Sequence, residues 1–220
     1  MRSPQKTGVA VDLVVFTVDD AELRVALLRM KRPSFQGKWA LPGGRIGDDE
    51  TVEDAAVREL CDKVGLDDVY LEQLYTFSRP DRDPDGRCLS VAHMALVPPG
   101  TSLLTTDKYD GVGWFSAKRP PQLAFDHREI LTYAVKRLRG KLAYTNAAYG
   151  LLPHAFSLGE LQRVYETILD EELDTRNFQR RVVQLGMVEE TGAVREGARN
   201  RPARLYRFHS RRPHELPVLA

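Results

Sequence analysis

Residues 43–66 read GGRIGDDETVEDAAVRELCDKVGL, and this stretch decides the fold class. Its informative residues are widely spaced: Gly44, Glu50, Arg58, Glu59, Leu60, Gly65 and Leu66. Between them Val52, Ala55, Ala56, Leu60 and Val64 recur on one side of a predicted helix. Thr51 is placed to cap that helix, with Asp54 three residues on closing a short-armed capping box. Gly65 is placed to end it, because glycine tolerates the left-handed conformation of a helix stop. Residues three and four apart share a helix face, so Glu59, Asp62 and Lys63 gather opposite the apolar stripe. Carboxylates in that pattern suit a divalent cation bound through oxygen, which neutralises phosphate charge and activates water. Lys63 works against such a site by placing an ammonium where the cation would sit. Glu59 and Lys63 are also oriented for a surface helix ion pair worth ~0.2–0.5 kcal/mol.

The stretch resembles the Nudix box, G-x5-E-x7-R-E-U-x-E-E-x-G-U with U aliphatic, of proteins that hydrolyse nucleoside diphosphates linked to another moiety. It departs at the acidic pair, where Asp62 and Lys63 stand in place of two glutamates. The resemblance implies an α/β chain with a Nudix α/β/α sandwich built on a mixed sheet. It makes Glu59 the remnant of the catalytic position, and Glu59 with Asp62 the ligands left for a weakly held Mg2+. Because the departure falls at the metal, the expectation is a domain that binds a nucleotide without turning it over. Residual hydrolysis is the alternative.

Outward from the box, Gly8–Thr17 and Leu23–Met30 read as a β-hairpin, and Tyr70–Phe77, Cys88–Val97 and Gly111–Ser116 as further strands. A helix is predicted over 126–142, with Ile130, Leu131, Ala134 and Leu138 inside and Asp126 as its N-cap. The stretch LAYTNAAYGLLPHAF reads as a connector. Ser157 and Glu160 then form a capping box, and Leu158, Leu161, Val164, Tyr165 and Ile168 a helix face. A second helix is predicted over Thr175 to Leu185, with Phe178, Val182 and Leu185 inward. Candidate strands Met187–Glu190 and Ala203–Phe208 follow. Two helices and a hairpin in about sixty residues describe a small α+β winged helix-turn-helix. The division is expected at 1–148 and 149–220.

Charge supports a nucleic-acid role for the second part only. The whole chain carries +1, which argues against a globally basic coat protein. Residues 157–174 are acidic, whereas 175–212 hold ten arginines against three glutamates. Arg176, Asn177, Arg180 and Arg181 fall opposite the buried stripe of the second helix, where arginine reads guanine and phosphate and asparagine reads adenine. Arg195, Arg199, Arg201 and Arg204 flank the hairpin tip as wing contacts to the DNA backbone. The two cysteines, Cys61 and Cys88, match no metal-ligand spacing. No 18-residue apolar run or export signal is present, which points to the cytoplasm and no membrane partner.

A degenerate Nudix domain followed by a winged helix resembles the Nudix-related transcriptional regulators, bacterial repressors of NAD biosynthesis genes. The resemblance extends through FSRPDRDPDGR (77–87), LAFDHREI (123–130), FSLGELQRVYE (156–166), LDTRNFQRRVVQLGMVEETG (173–192) and RPARLYRF (201–208). It implies that ADP-ribose or a related NAD metabolite binds the Nudix domain and releases palindromic operator DNA from a homodimer. A diphosphate ligand suits guanidinium donors, for which Arg45, Arg58, Arg79, Arg82 and Arg87 are the candidates, with Asp83 and a pocket-rim His127 as further ligand-binding candidates. Arg58 could instead brace a glutamate, and His127 could be a packing residue. Two other functions remain open from sequence: an active ADP-ribose pyrophosphatase with an accessory domain, and a scaffold whose arginines dock a protein or RNA.

Overall fold

The structure, a computed structural model, describes residues 7–65, 69–104, 109–195 and 202–217. Leu66 of the box and the wing-tip arginines Arg199 and Arg201 lie outside the described residues. Two compact units emerge. One comprises Met1–Phe16, Arg24–Leu96 and Thr101–Val135; the other comprises Thr17–Leu23, Val97–Gly100 and Lys136–Ala220.

A seven-stranded mixed sheet organises the first part of the chain. β1 (Gly8–Asp19), β2 (Glu22–Met30), β3 (Trp39–Ala40), β4 (Gly43–Arg45), β5 (Tyr70–Phe77), β6 (Cys88–Leu96) and β7 (Tyr109–Ser116) compose it. Its main path runs β3-β2-β1-β6-β5, with β4 on β1 and β7 on β2. β1 and β6 pair in parallel from Gly8↔Cys88 to Phe16↔Leu96, while β1–β4, β2–β3, β2–β7 and β5–β6 are antiparallel. Val11 and Leu13–Phe16 are fully buried without alternation, as are Ala92 and Met94–Leu96. Continuous burial means both faces of the central strands are covered, as a layered α/β domain requires.

The box helix, α1 (Val52–Val64), follows the sequence expectation closely. Thr51 and Asp54 form the reciprocal capping box, and Gly65 closes the helix at φ 71°. Ala55, Ala56 and Leu60 are buried. β3 and β4 are absent from the sequence reading because two- and three-residue strands carry no periodicity. β4 is nonetheless decisive for the site: it pairs Arg45, Gly44 and Gly43 with Ala10, Val11 and Asp12.

The remaining elements are α2 (His127–Tyr144), α3 (Leu158–Leu169), α4 (Thr175–Gln184), β8 (Val188–Arg195) and β9 (Ala203–Phe208). Ile130, Leu131, Ala134 and Leu138 are the buried stripe of α2, as expected. The Ser157–Glu160 capping box starts α3. Asp174 caps α4 by accepting from Asn177 N–H at 2.8 Å. Phe178 stacks on Tyr165, ring centroids 5.2 Å apart, and Val182 is fully buried. β8 runs five residues past the expected Glu190, because a register shift between Glu190 and Val194 lets the pairing resume at Val194↔Arg204.

The connector expected around 142–156 is a correction. Ala147–Leu151 is a buried 3-10 turn packed against α3, and Phe156 is fully buried. Its apolar composition explains why it folds into the second unit instead of spanning solvent. Asn146 adds a latch, donating to the carbonyls of Ser210 and Arg212 and accepting from His214 N–H.

Candidate ligand cleft and nucleic-acid interface

A cleft of about 180 Å³ opens over β1 and β4. Its floor is a buried ion network centred on Asp12. Arg82 donates from Nη2 to Asp12 at 3.0 Å and holds Asp126 bidentately at 2.9 and 2.8 Å. His127 accepts the Leu41 N–H on Nδ1 at 2.9 Å, so the other ring nitrogen carries its proton, and Nε2 faces Asp12 Oδ1 at 3.4 Å. Burial alone would raise the Asp12 pKa, but His127 and Arg82 outweigh it and hold the carboxyl well below the usual carboxylate range. The same carboxylates raise the Arg82 pKa against its own burial. At the start of α2 the Asp126 carbonyl accepts the Ile130 N–H, while its carboxylate is held by Arg82, a charge-assisted partner.

Aromatic rings line the upper part of the cleft. Phe125 adopts φ 53°, a left-handed conformation costly for a bulky residue. Its ring lies 4.1 Å from Phe35 and 4.9 Å from His127, with the Arg32 guanidinium 5.5 Å above it. Arg32 also binds Asp83 at 3.0 Å and Asp85. Tyr109 contributes a hydroxyl that burial and the nearby Glu59 and Asp12 charges push up to about 12.

The expected ligand residues divide accordingly. Arg45, Arg82, Asp83 and His127 line this cleft. Arg45 and Arg87 line an adjoining depression of about 760 Å³, where Arg87 donates to the carbonyls of Ser78 and Arg79. Arg79 has its side chain on the surface, paired with Asp81 at 2.8 Å, and lines neither depression. Arg58 is a brace: it holds Glu50 at 2.9 and 2.6 Å and Glu59 at 2.6 Å. Hydrogen bonds from Arg58, then from Gly47 N–H, pull the Glu50 pKa down to about 2. Asp12, Arg32 and Phe125 were missed by sequence reasoning. An aspartate inside the apolar run GVAVDLVVF was the available signal for Asp12, since a buried charge demands a partner. No local signal marks the other two.

Glu59 and Lys63 do not form the expected surface ion pair. Lys63 is only 4% exposed, and its Nζ lies 5.1 Å from the Tyr109 ring. Tyr109, at the start of β7, supplies that cation–π contact, which is invisible from helix spacing. Gly44 packs directly on Glu59: a Cβ there would fall 2.8 Å from the Glu59 Cδ.

In the second unit α4 displays Arg176, Asn177, Arg180 and Arg181 to solvent, opposite buried Val182. Arg180 donates to the Asn177 side-chain oxygen at 3.0 Å. Arg195 and Arg204, expected as wing contacts, are ion-paired to Glu160 at 2.7 Å and Glu190 at 3.1 Å. Arg139 of α2 donates to the Ile168 carbonyl at the end of α3.

A Nudix-type sheet domain carrying a polar, aromatic-lined cleft, followed by a winged helix with a basic second helix, defines a class of ligand-linked regulator. Comparison with known proteins agrees. Residues 6–134 match the family model "NUDIX domain" and residues 148–208 the model "NrtR DNA-binding winged helix domain". The chain is 35% identical over 202 residues to the ADPR responsive transcriptional repressor NtrR of Acinetobacter baylyi, covering 90% of this chain and 80% of that one. It is similar to Shewanella oneidensis NrtR crystallised with a 27mer DNA, at TM-score 0.82, 34% identity and coverage of 91% and 93%. The NUDIX domain of the same Shewanella protein, crystallised with ADP ribose, matches at TM-score 0.55 and 32% identity over 61% of this chain and 90% of that one. The chain belongs to the NrtR family, the Nudix-related transcriptional regulators.

Nudix hydrolases work with divalent cations, and Glu59 and Asp62 are the acidic donors this box retains for one. Glu59 Oε1 is occupied by Arg58 and Asp62 is exposed. Among the described residues no group of three or more His, Cys, Asp or Glu side chains could hold a metal ion. Among the described residues, no helix is long and apolar enough to cross a membrane.

Proposed function

We propose that this chain is an ADP-ribose-responsive transcriptional repressor of NAD biosynthesis genes, acting in the cytoplasm as a homodimer on palindromic operator DNA. Residues 1–148 sense the ligand and residues 149–220 bind DNA. The observation that carries the reading is the solvent-facing Arg176–Asn177–Arg180–Arg181 surface of α4, in a chain similar over 90% of its length to an ADPR responsive repressor. Arg45 and Arg87 meet the diphosphate, while the Phe125–His127 wall packs against a planar or ribosyl part of the ligand. Arg82 and Asp126 hold that wall in place. The ligand weakens DNA binding only to the extent that it binds the low-affinity state more tightly.

The test is fluorescence anisotropy on duplexes from upstream of the gene itself and of NAD biosynthesis genes, with and without ADP-ribose. Selective binding that ADP-ribose weakens supports the repressor. Operator affinity unchanged by ADP-ribose refutes ligand sensing.

One observation favours a second reading, residual pyrophosphatase activity: the Glu50–Arg58–Glu59 brace of the box is intact. Magnesium-dependent release of AMP from ADP-ribose, abolished by Glu59→Gln, would support it.

A further inference from the structure

Each arginine in the described stem of the wing is matched by a glutamate. Arg204 donates to Glu190 Oε1 at 3.1 Å, and Tyr206 donates its hydroxyl to the same oxygen at 3.0 Å. Arg207 donates to Glu189 Oε1 at 2.7 Å. Those two pairs run between neighbouring strands of the hairpin. Arg195 differs, because its partner belongs to another element: Nη1 donates to Glu160 Oε1 at 2.7 Å and Nη2 to the Ala155 carbonyl at 3.2 Å.

Glu160 is also the capping residue of α3. Its second oxygen accepts from Ser157 N–H at 2.7 Å and from the Ser157 hydroxyl at 3.0 Å. One carboxylate thus fastens both the start of α3 and the end of β8. Phe156, one residue upstream, is bridged to Tyr206 of β9 by backbone hydrogen bonds at 3.0 and 2.7 Å. The wing is therefore tied to the start of α3 from both of its strands. By contrast, Arg180 on α4 donates to the Asn177 amide oxygen.

We infer that Arg195 is a positioning residue, which fixes the angle of the wing against α3 through Glu160, and is not a phosphate contact. This rests on the reading of residues 149–220 as the DNA-binding module. The alternative role makes the opposite prediction. If Arg195 bound phosphate, Glu160 would compete with DNA for it, and removing the Glu160 charge would tighten binding. If Arg195 positions the wing, removing either partner weakens binding, and removing both is no worse than removing one.

The full-length protein carrying Glu160→Gln, Arg195→Ala, both changes, or Arg195→Lys is titrated against duplex DNA from upstream of its own gene, over a range of salt concentrations. Glutamine still closes a capping box, so α3 keeps its start in Glu160→Gln. Arg180→Ala is the phosphate-contact control, losing about 0.9 from the slope of log K against log salt. Positioning predicts that Glu160→Gln and Arg195→Ala each weaken binding about fivefold, that the double variant stays near fivefold, and that the salt slope is unchanged. Arg195→Lys, which keeps the charge, recovers part of the loss. Tighter binding by Glu160→Gln, or a reduced slope in Arg195→Ala, overturns the inference. Should wild-type protein bind no duplex selectively, the DNA-binding reading falls, and the brace is judged by amide exchange in the free protein. Faster exchange across β8 and β9 in both single variants then supports it, and unchanged exchange overturns it.

Discussion

Replacing Arg82 with methionine keeps most of the side-chain volume and removes the charge beneath the cleft. Arg82 is 4% exposed, and its partners Asp12 and Asp126 are 10% and 7% exposed. Three charge-assisted hydrogen bonds disappear, each worth ~1.5–3 kcal/mol in net terms. Simple addition would overstate the loss, because the freed carboxylates recruit water and Asp12 retains His127. Breaking a buried pair by removing one partner costs ~3–5 kcal/mol, and that is the expected loss at pH 7. The pH dependence has a fixed sign. The Asp12 pKa lies lower in the folded protein than its unfolded value of about 4, so its ionisation stabilises the fold above that pH. That contribution fades as pH falls through the folded pKa. The gap between Arg82→Met and wild type should therefore be flat from pH 8 to 5 and shrink below about pH 4. Urea unfolding at pH 7, 5 and 3.5 measures it. A loss under about 1 kcal/mol at pH 7, or a gap that widens in acid, would refute the assignment of Arg82 as the network's central cation.

Gly44→Ala forces the Glu59 carboxylate off its place against β4, where Arg58 holds it, and should cost ~1–3 kcal/mol as an overpacked site; denaturant midpoints equal to wild type would contradict the packing. Tyr165→Phe removes a buried hydroxyl that has no hydrogen-bond partner among the described residues, so the variant should be as stable as wild type or gain ~1 kcal/mol. A clear drop in its melting temperature would point to an unseen partner. Lys63→Glu places a second carboxylate one helical turn from Glu59 and removes the cation over Tyr109. Its melting temperature should rise with added magnesium while that of wild type stays level; identical responses would show that more than Lys63 keeps the ion out.

Much of this protein was written in local sequence. Thr51, Asp54 and Gly65 bound the box helix, and Ser157 and Glu160 start α3, because caps act between residues three or four apart. The stripes of α1, α2 and α4 follow from a 3.6-residue period, and so does the exposure of Arg176, Asn177, Arg180 and Arg181. Partners distant in the chain were decided by the tertiary structure. Asp12 meets Arg82 seventy residues on, and Arg195 meets Glu160 thirty-five residues back. Folding assigned Arg58 to a brace, drew Asp126 into an ion pair with Arg82, and buried Lys63 against Tyr109. The physical reason is range. Capping and periodicity are settled within one or two helical turns, whereas a charge in the interior takes whichever partner the packed chain brings within about 3 Å, and local sequence does not encode that neighbour.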